Sequence, residues 1–543
     1  MQKPGAAPLE AGTGVASADA PTTPRRAKKP LSFHMSFLAL NIMVFIVSLD
    51  ATVLAVAIPE IARQLHSTTL QAFWASISFM LAVVVTQPLY TSTSDVLGRK
   101  LPLYTSFVLF IAGSIIFAVA QDMTVLIVGR ILQGLGAGGI DVLGEIIVAD
   151  MTTLKERPLY LGLLAIPMLA GSVLGPTIGA LFSQRASWRW IGWINLPIAA
   201  VGLVLVFFFL HLRPLQASFT SKLRRLDWTG MGLFTVGSTA FVLPLSWAGA
   251  MYAWGDWRTL LPLLIGVAVI AVFGYYESRP AEPVMPHRLF NSATAAVSLT
   301  GAFIHGMVVY CLMLYLPLFF QSTMMETPLQ SVVSLLPLSI VSVVFAFLSA
   351  ASVNYLRKYR WNIWSGWVFQ CVGLGLLSLL GPSASTAVKV VSQVIAGIGI
   401  GALYFVLVLP MQASAPVVDD AGLAAGLLIS FRLFGALIGL SVGSTVFSST
   451  WDKTIADLGA LPEVLEPFRS GKAAVELIPV LRTLELPREV LAPLLDVYTK
   501  SLRTIWYVLV GFSLFGLATS VLTKEITLDK EEMGRQRFEE ESS

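Results

Sequence analysis

The chain has few charged residues, few histidines and only two cysteines. Lys, Arg, Asp and Glu make up 13% of its 543 residues, and there are five histidines. Soluble globular domains carry about 25% charged residues, and a soluble chain of this length must present a largely hydrated surface to water. With 55% hydrophobic residues and a mean hydropathy of +0.76, the composition excludes an ordinary soluble fold and indicates a membrane protein.

Other absences exclude further classes of protein. The net charge is only +4, so the chain lacks the basic footprint of a nucleic-acid-binding protein. The phosphate-binding pattern G-x-x-x-x-G-K-S/T does not occur, so we do not expect ATP to drive the protein. We find no nucleophile motif and no His/Cys spacing of a metal site, and therefore expect no enzyme activity, no metal and no cofactor. Cys311 and Cys371 fall inside predicted membrane helices, where we expect packed thiols rather than a disulfide.

Long hydrophobic runs are the dominant feature of the sequence. A helix needs about 20 apolar residues to cross a bilayer, and fourteen segments meet this requirement. Six come first, a basic linker and a pair follow, and six complete the chain, which predicts an all-α membrane protein with a 6+2+6 arrangement. The segments lie near 36–58, 70–92, 102–121, 123–148, 159–182, 190–211, 228–248, 259–277, 294–320, 329–352, 363–381, 386–411, 421–447 and 502–523.

These segments divide the chain into five parts. They are a disordered tail at 1–33, a six-helix bundle at 34–211, a linker with the extra helix pair at 212–292, a second six-helix bundle at 293–523 and a C-terminal tail at 524–543. Within the second bundle, an external loop at 448–501 is expected to hold short amphipathic helices around 455–468 and 475–495. Lys and Arg in short loops mark the cytoplasmic side, and their distribution places both tails there.

Two opposite charges lie inside the first and fourth predicted helices. Asp50 and Arg130 both lie about 10 Å from the outer surface at a rise of ~1.5 Å per residue, so the two can pair. A charge inside an apolar helix costs at least ~2.5 kcal/mol and is retained only when it is paired, neutralised or hydrated. We expect this pair to form a proton-binding site; an ion pair that only holds two helices together is the alternative.

The fourth predicted helix carries further carboxylates. Asp141 follows Arg130 by eleven residues, a net rotation of about 20°, so the two share a helix face. Glu145 lies one turn later. Asp141 and Glu145 are candidates to bind a cationic substrate or a proton, and simple hydration at the helix end is the alternative, which we favour slightly for Glu145.

Other polar residues of the predicted helices are further candidates for a substrate cavity. They are Gln133, His305, Tyr310, Gln393 and Arg432. The alternative is packing for His305 and Tyr310, a hydrogen bond to a neighbouring helix for Gln393, and for Arg432 a structural role with a carboxylate or carbonyl partner.

The loop after the second predicted helix reads T-S-T-S-D-V-L-G-R-K from position 91 to 100. Gly98 permits a tight turn, Asp95 can accept hydrogen bonds from amides at a helix N-terminus, and Arg99 can pair with Asp150. Such a lock would stabilise one conformer and break in the other; a solvated turn is the alternative. The segment resembles motif A of the major facilitator superfamily, G-x-x-x-D-x-x-G-R-R/K, with Thr91 where glycine is usual.

The fifth predicted helix contains the pattern G-x-x-x-G-P-x-x-G. Its proline removes a backbone donor and bends the helix, and its glycines allow another helix to approach closely. The pattern resembles motif C of antiporters and is formed by Gly171, Gly175, Pro176 and Gly179. In the fourth helix, Arg130, Gln133 and Gly134 match motif B, which is associated with proton coupling in the family.

Over nearly all of 36–525 the chain resembles the fourteen-helix drug:proton antiporters, especially fungal efflux pumps for toxins and secondary metabolites. The resemblance implies a major facilitator fold and the export of a small amphipathic molecule by alternating access, driven by a proton gradient. It also implies the plasma membrane, with the vacuolar membrane as the alternative; we take a monomer as the default. A proton-coupled uptake symporter for siderophores or amino acids and a transport-dead sensor remain open as other functions.

Overall fold

The computed structural model describes residues 29–67, 69–248, 251–458, 462, 465–482, 484 and 486–539, and their regular structure is helical. These ranges contain fourteen helices of 18 residues or more, four shorter α-helices and three 3₁₀ turns. Each of the fourteen segments selected by length and hydropathy overlaps one of the long helices. The predicted tail at 1–33 lies mostly outside the described residues, although its last three residues already belong to the first helix.

The first half of the chain forms seven α-helices. They are α1 (Leu31–Gln64), α2 (Thr69–Leu97), α3 (Lys100–Val119), α4 (Met123–Met151), α5 (Arg157–Leu163), α6 (Ala165–Arg185) and α7 (Trp190–Phe209). The predicted fifth helix is therefore two helices, α5 and α6, which meet at Leu164. Pro167 explains this break, because proline has no amide hydrogen to donate to the carbonyl of Leu163.

The linker and the second half form the other eleven α-helices of the described ranges. They are α8 (Phe219–Arg225), α9 (Trp228–Trp247), α10 (Trp257–Tyr276), α11 (Ala293–Ser322), α12 (Pro328–Leu356), α13 (Arg360–Leu377), α14 (Thr386–Tyr404), α15 (Val408–Ala413), α16 (Ala421–Ala456), α17 (Gly471–Leu481) and α18 (Arg488–Ser520). Pro410 causes a second break, between α14 and α15, because it cannot donate to the carbonyl of Val406.

The loop predicted at 448–501 is much shorter in the structure, because α16 and α18 extend into it. Among the residues described between them, α17 and one 3₁₀ turn stand as separate helices. The Leu and Val residues whose spacing predicts an amphipathic helix at 475–495 lie in α17 and at the start of α18. Tyr498 of α18 lies 4.5 Å from the ring of Trp451 on α16 and donates a hydrogen bond to the carbonyl of Ala474 on α17. The extensions therefore bury an apolar cluster against each other.

Twelve helical segments of the described residues are long and apolar enough to cross a membrane. The protein is therefore a multi-pass membrane protein. The helices α2 and α13 are not among these twelve, so the predicted count of fourteen spans, arranged 6+2+6, stays a prediction.

Helix packing separates two bundles with the linker pair beside them. In the first bundle α1 packs against α6 and α7, and α4 packs against α2 and α3; in the second, α11 packs against α16, and α14 against α12 and α13. The helix α9 contacts both α2 and α16, and α10 packs against α9. Trp254, just before the start of α10, donates to Thr445 of α16. The linker pair is thus attached to the side of the molecule where the two bundles meet.

Candidate functional site

Asp50 lies at the centre of a hydrogen-bonded cluster inside the first bundle. Its carboxylate is fully buried and accepts from Arg130 at 2.6 Å, from Asn195 at 2.7 Å and from Gln133 at 3.3 Å. The side chain of Ser114 accepts from Gln133 at 3.0 Å. We call these five residues the Asp50 cluster. Asp50 and Arg130 are in contact, as their matched depth predicts.

Four helices build the Asp50 cluster: α1, α3, α4 and α7. The guanidinium of Arg130 is 1% exposed and lies 4.3 Å above the ring of Phe79 on α2. A buried carboxylate is retained when several charged or polar donors replace its hydration. The cluster meets that condition, and it would be disturbed by any change in the charge of Asp50.

The glycines of motif C hold α6 directly against the helix that carries Asp50. A Cβ atom at Gly171 would lie 2.6 Å from the carbonyl oxygen of Phe45. At Gly175 it would overlap the side chain of Thr52, and at Gly179 the carbonyl of Val53. Only glycine fits at these three places, so the backbone of α1 near Asp50 is fixed by α6.

Arg99 forms the predicted ion pair with Asp150. Its Nε lies 2.8 Å from Oδ2 of Asp150, both side chains are almost completely buried, and Gly98 before it has a φ of +95°. Burial alone would lower the pKa of the Arg99 guanidinium, but the carboxylates of Asp150 and Asp95 outweigh burial and hold that pKa above its ordinary value. Arg99 is therefore positively charged in the folded protein.

Asp95 does not cap a helix in the way that the sequence predicts. Its Oδ2 accepts from Arg535 at 2.8 Å, and its Oδ1 lies 3.6 Å from Arg99. The amide of Arg99, which precedes α3, donates instead to the side chain of Gln536 at 3.2 Å. Two residues of the C-terminal segment 524–539 thus join the lock. We call the end of the bundle that carries Arg99, Asp150 and this segment the Arg99 face.

The two bundles touch each other near the Arg99 face. A Cβ at Gly422 of α16 would lie 2.8 Å from the Arg99 guanidinium and 3.1 Å from Ile146 of α4. Arg157 of α5 donates to Gln412 of α15 at 3.1 Å. These contacts join the first bundle to the second, so the structure is a conformer that is closed at this face.

The candidate cavity residues fall into separate groups. Asp141 accepts from Gln87 of α2 at 2.8 Å. On α16, Arg432 lies 4.3 Å above the ring of Tyr404 and donates to the Tyr404 carbonyl, which is the carbonyl partner that the sequence allows for it. Glu145 is buried on α4, within electrostatic range of Arg432.

Three other candidates are held in the second bundle. His305 donates from Nε2 to the carbonyl of Ile400 at 2.9 Å, and its ring lies 5.7 Å from that of Tyr404. Tyr310 is half-buried on the same helix. Gln393 donates to the carbonyl of Lys389 in its own helix at 3.1 Å. Of these, His305 adjoins Arg432 through Tyr404, whereas Gln393 makes a local bond.

Sequence reasoning missed Asn195, Ser114 and Gln87 as members of these groups. Asn195 is the single amide in the apolar helix α7, and that isolation is a signal that could have selected it. Gln87 and Ser114 lie in helices with several other polar residues, so the sequence does not distinguish them. The two cysteines are free, as expected, and the Cys311 thiol donates to the carbonyl of Gly439 at 2.9 Å.

Two helical bundles with buried charges inside them and contacts at one end are the arrangement of a membrane transporter. The chain belongs to the Major Facilitator Superfamily, whose family model matches residues 40–440. It is therefore a transporter of small molecules in a lipid bilayer.

Relatives are found among fungal transporters. The chain is 47% identical to the MFS-type transporter sphD of Aspergillus fumigatus, with 99% of this chain and 95% of the relative covered. It is 34% identical to the MFS-type efflux pump MMF1 of Pseudozyma antarctica, with 93% and 92% covered. Efflux pump FUS6 of Gibberella fujikuroi is 30% identical, with 94% and 92% covered. The resemblance to fungal efflux pumps is thereby confirmed.

The fold also matches a solved structure. The human organic anion transporter MFSD10 aligns with a TM-score of 0.61 at 13% identity, covering 91% of this chain and 100% of that one. At this identity the likeness shows the major facilitator fold.

Proposed function

We propose that this transporter exports small amphipathic molecules in exchange for protons by alternating access. The observation that carries the proposal is the Asp50 cluster. Its carboxylate is fully buried, and three side chains from two other helices donate to it. Relatives named as efflux pumps support the direction of transport.

A proton on Asp50 would change the balance of this cluster. The neutral carboxyl would no longer compensate the charge of Arg130, which is itself buried. Arg130 would then favour a conformer in which it reaches water or another partner. Binding of a proton at Asp50 would in this way shift the population between the two conformers of the transport cycle.

The Arg99 lock supplies the second requirement, a gate that exists in one conformer only. The Arg99 pair with Asp150 lies within the first bundle, and the guanidinium also packs against Gly422 of the second. Opening at this face would remove Gly422 from Arg99 and let water reach the ion pair. The lock therefore contributes to the closed conformer and is weakened in the open one.

The substrate would bind between the bundles, where Asp141 and Glu145 of α4 face Arg432 of α16. Glu145 Oε2 and Arg432 Nε are buried without a hydrogen-bond partner among the described residues. Buried polar atoms in this state are expected to bind water, an ion or a ligand. With carboxylates on one side and a guanidinium on the other, we expect a cationic or zwitterionic amphipathic substrate.

The proposal includes the arrangement of the whole chain. We propose fourteen spans in a 6+2+6 order, with the Arg99 face and both termini in the cytoplasm. A monomer in the plasma membrane, driven by the proton gradient without a cofactor, is the simplest form of the proposal.

The test is proton flux in liposomes. Purified protein is reconstituted with an imposed pH gradient, and lumenal pH is followed while cationic, zwitterionic and neutral amphipathic compounds are added. We expect proton movement opposite to substrate, and its loss in Asp50→Asn, because the amide cannot carry the proton. Asp496→Asn is the matched control, since Asp496 is exposed and, among the described residues, pairs only with Lys500 on the same helix.

Other outcomes have separate meanings. Proton movement in the direction of substrate would make the protein a symporter. Undiminished counterflow in Asp50→Asn would remove Asp50 from the mechanism, and no coupled flux with any compound would favour a sensor.

A further inference from the structure

The C-terminal segment 524–539 binds to the first bundle through the lock itself. Arg535 donates to Asp95 Oδ2 at 2.8 Å. Gln536 accepts from the Arg99 amide at 3.2 Å and donates to the carbonyl of Ser94 at 3.3 Å. Two residues later, the amide of Phe538 donates to the carbonyl of Asp150 at 3.2 Å. The segment therefore contacts the main chain or side chain of each residue of the lock.

The same segment also binds to the second bundle. The amide of Arg535 donates to Asp419, just before α16, at 2.7 Å. Tyr359, just before α13, donates from its hydroxyl to the carbonyl of Lys524 at 2.7 Å and accepts from the amide of Ile526 at 2.8 Å. Arg535 is thus attached to Asp95 of one bundle and to Asp419 of the other.

Burial shows that this attachment is part of the packing. Leu528 is fully buried, and the side chain of Gln536 is 3% exposed. The Phe538 ring packs edge-on against Phe33 of α1 with their centroids 5.8 Å apart. A polar chain end that only trailed in solvent would have few buried contacts.

We propose that segment 524–539 is a strap across the Arg99 face, and that Arg535 is the positioning residue through which it holds the gate closed. Arg535 bonds both bundles, so separation of the bundles at this face must break at least one of its two contacts. The strap adds to the lock in the closed conformer and detaches from one bundle when the face opens. This inference rests on the proposed alternating access.

The strap also explains how Asp95 is shared. Its carboxylate lies nearer to Arg535, at 2.8 Å, than to Arg99, at 3.6 Å. Arg99 is left to pair with Asp150. Removal of the Arg535 side chain would leave Asp95 with Arg99 alone, and would pull Arg99 away from the position that it holds against the second bundle.

The test measures opening of the Arg99 face without substrate or a proton gradient. A reporter cysteine replaces Thr91, which is buried on α2 against Gly426 of α16, in a protein whose Cys311 and Cys371 are replaced by alanine. A water-soluble maleimide reaches this cysteine only when the bundles separate. The labelling rate is compared in Arg535→Ala, Arg535→Lys and Arg537→Ala, and in a chain that ends after residue 523.

We expect Arg535→Ala to raise the labelling rate about fivefold, because a half-exposed ion pair contributes up to a factor of about five to an equilibrium. Truncation should raise it at least as much, and Arg535→Lys should restore part of the protection. Arg537→Ala is the matched control, since this side chain is exposed and makes no ion pair within the described residues. A cysteine at Lys358, exposed at the same face, should label equally in all variants.

The result can contradict the proposal in two ways. If Arg535→Ala labels at the parent rate in monodisperse protein, the strap does not hold the gate. If Arg537→Ala accelerates labelling as much as Arg535→Ala, the labelling rate depends on the positive charge of segment 524–539 and not on the contacts of Arg535. Because neither rate depends on substrate or protons, loss of proton-coupled efflux in the liposome assay would leave both results interpretable.

Discussion

At the scale of single residues, Asn195 shows how much the Asp50 carboxylate depends on neutral donors. Its amide lies 2.7 Å from Asp50 Oδ1, closer than the amide of Gln133 at 3.3 Å. Arg130 donates to the other oxygen. Without Asn195, Oδ1 of a fully buried carboxylate would have only the longer of its two bonds.

We therefore predict that Asn195→Leu lowers the thermal stability of the purified protein. A hydrogen bond to a charged group contributes about 1.5–3 kcal/mol, and leucine would also place an apolar chain beside the carboxylate. Thermal unfolding in detergent measures the effect. Asn41→Leu is the control, because within the described part of the chain the Asn41 side chain donates only to Phe37 in its own helix; equal stability of the two variants would contradict the prediction.

The sequence predicts some of these residues well and others not at all. Asp50 and Arg130 are opposite charges in apolar helices, so their matched depth in the membrane is enough to predict that they pair. Asn195 and Gln87 are neutral, and their role depends on the rotation of α7 and α2. The nearly uniform apolar sequence of α7 does not reveal that rotation, and in α2 several other polar residues compete with Gln87. Asp95 was expected to cap a helix, but its partner Arg535 lies 440 residues away in a polar segment without periodicity.

At the scale of helices, the contact between α1 and α6 depends on the absence of side chains. The Cβ that alanine would place at Gly179 overlaps the carbonyl of Val53. This carbonyl belongs to the main chain and cannot rotate away as a side chain could. Pro176 lies inside the same helix, at a position where proline removes a backbone hydrogen bond. Motif C thus determines how closely α6 supports the Asp50 cluster.

Gly179→Ala is accordingly predicted to destabilise the protein, because overpacking typically costs about 1–3 kcal/mol. The matched control is Gly232→Ala in α9, where an added Cβ meets nothing within 4 Å. There the change should be neutral or stabilising, since alanine is favoured over glycine in a helix by about 1 kcal/mol. A thermal unfolding series compares the two, and equal shifts would show that close packing at Gly179 is unimportant.

The helix order was predictable, whereas several helix ends were not. Hydropathy locates the apolar runs, but α16 and α18 continue beyond them as amphipathic helices that bury Trp451 and Tyr498 against each other. An amphipathic extension and a separate surface helix have the same periodicity. Only tertiary packing distinguishes them.

At the scale of the whole molecule, α4 connects the two sites. Arg130 and Asp150 are separated by about 30 Å at a rise of ~1.5 Å per residue. The Asp50 cluster and the Arg99 lock therefore share one rigid helix, which also carries Asp141 and Glu145 between them. A change in the tilt of α4 would alter both sites and the proposed substrate region together.

Contacts between the bundles at the Arg99 face decide which conformer is populated. Gly162 of α5 packs against α12: a Cβ there would lie 2.8 Å from that of Ala350 and 3.4 Å from Cα of Phe347. We predict that Gly162→Leu shifts the protein towards a conformer open at this face. The larger side chain collides only when the bundles are together, so each bundle should keep its own fold.

Spin labels on cysteines at Leu101 and Lys358, both exposed and on different bundles, measure the separation directly. The fraction of long distances should rise in Gly162→Leu. It should not change in Gly274→Leu, where α10 offers open space around the added side chain. An unchanged distance distribution in folded Gly162→Leu protein would mean that α5 and α12 separate too little in the cycle to gate it, and that α2, α4 and α16 move without them.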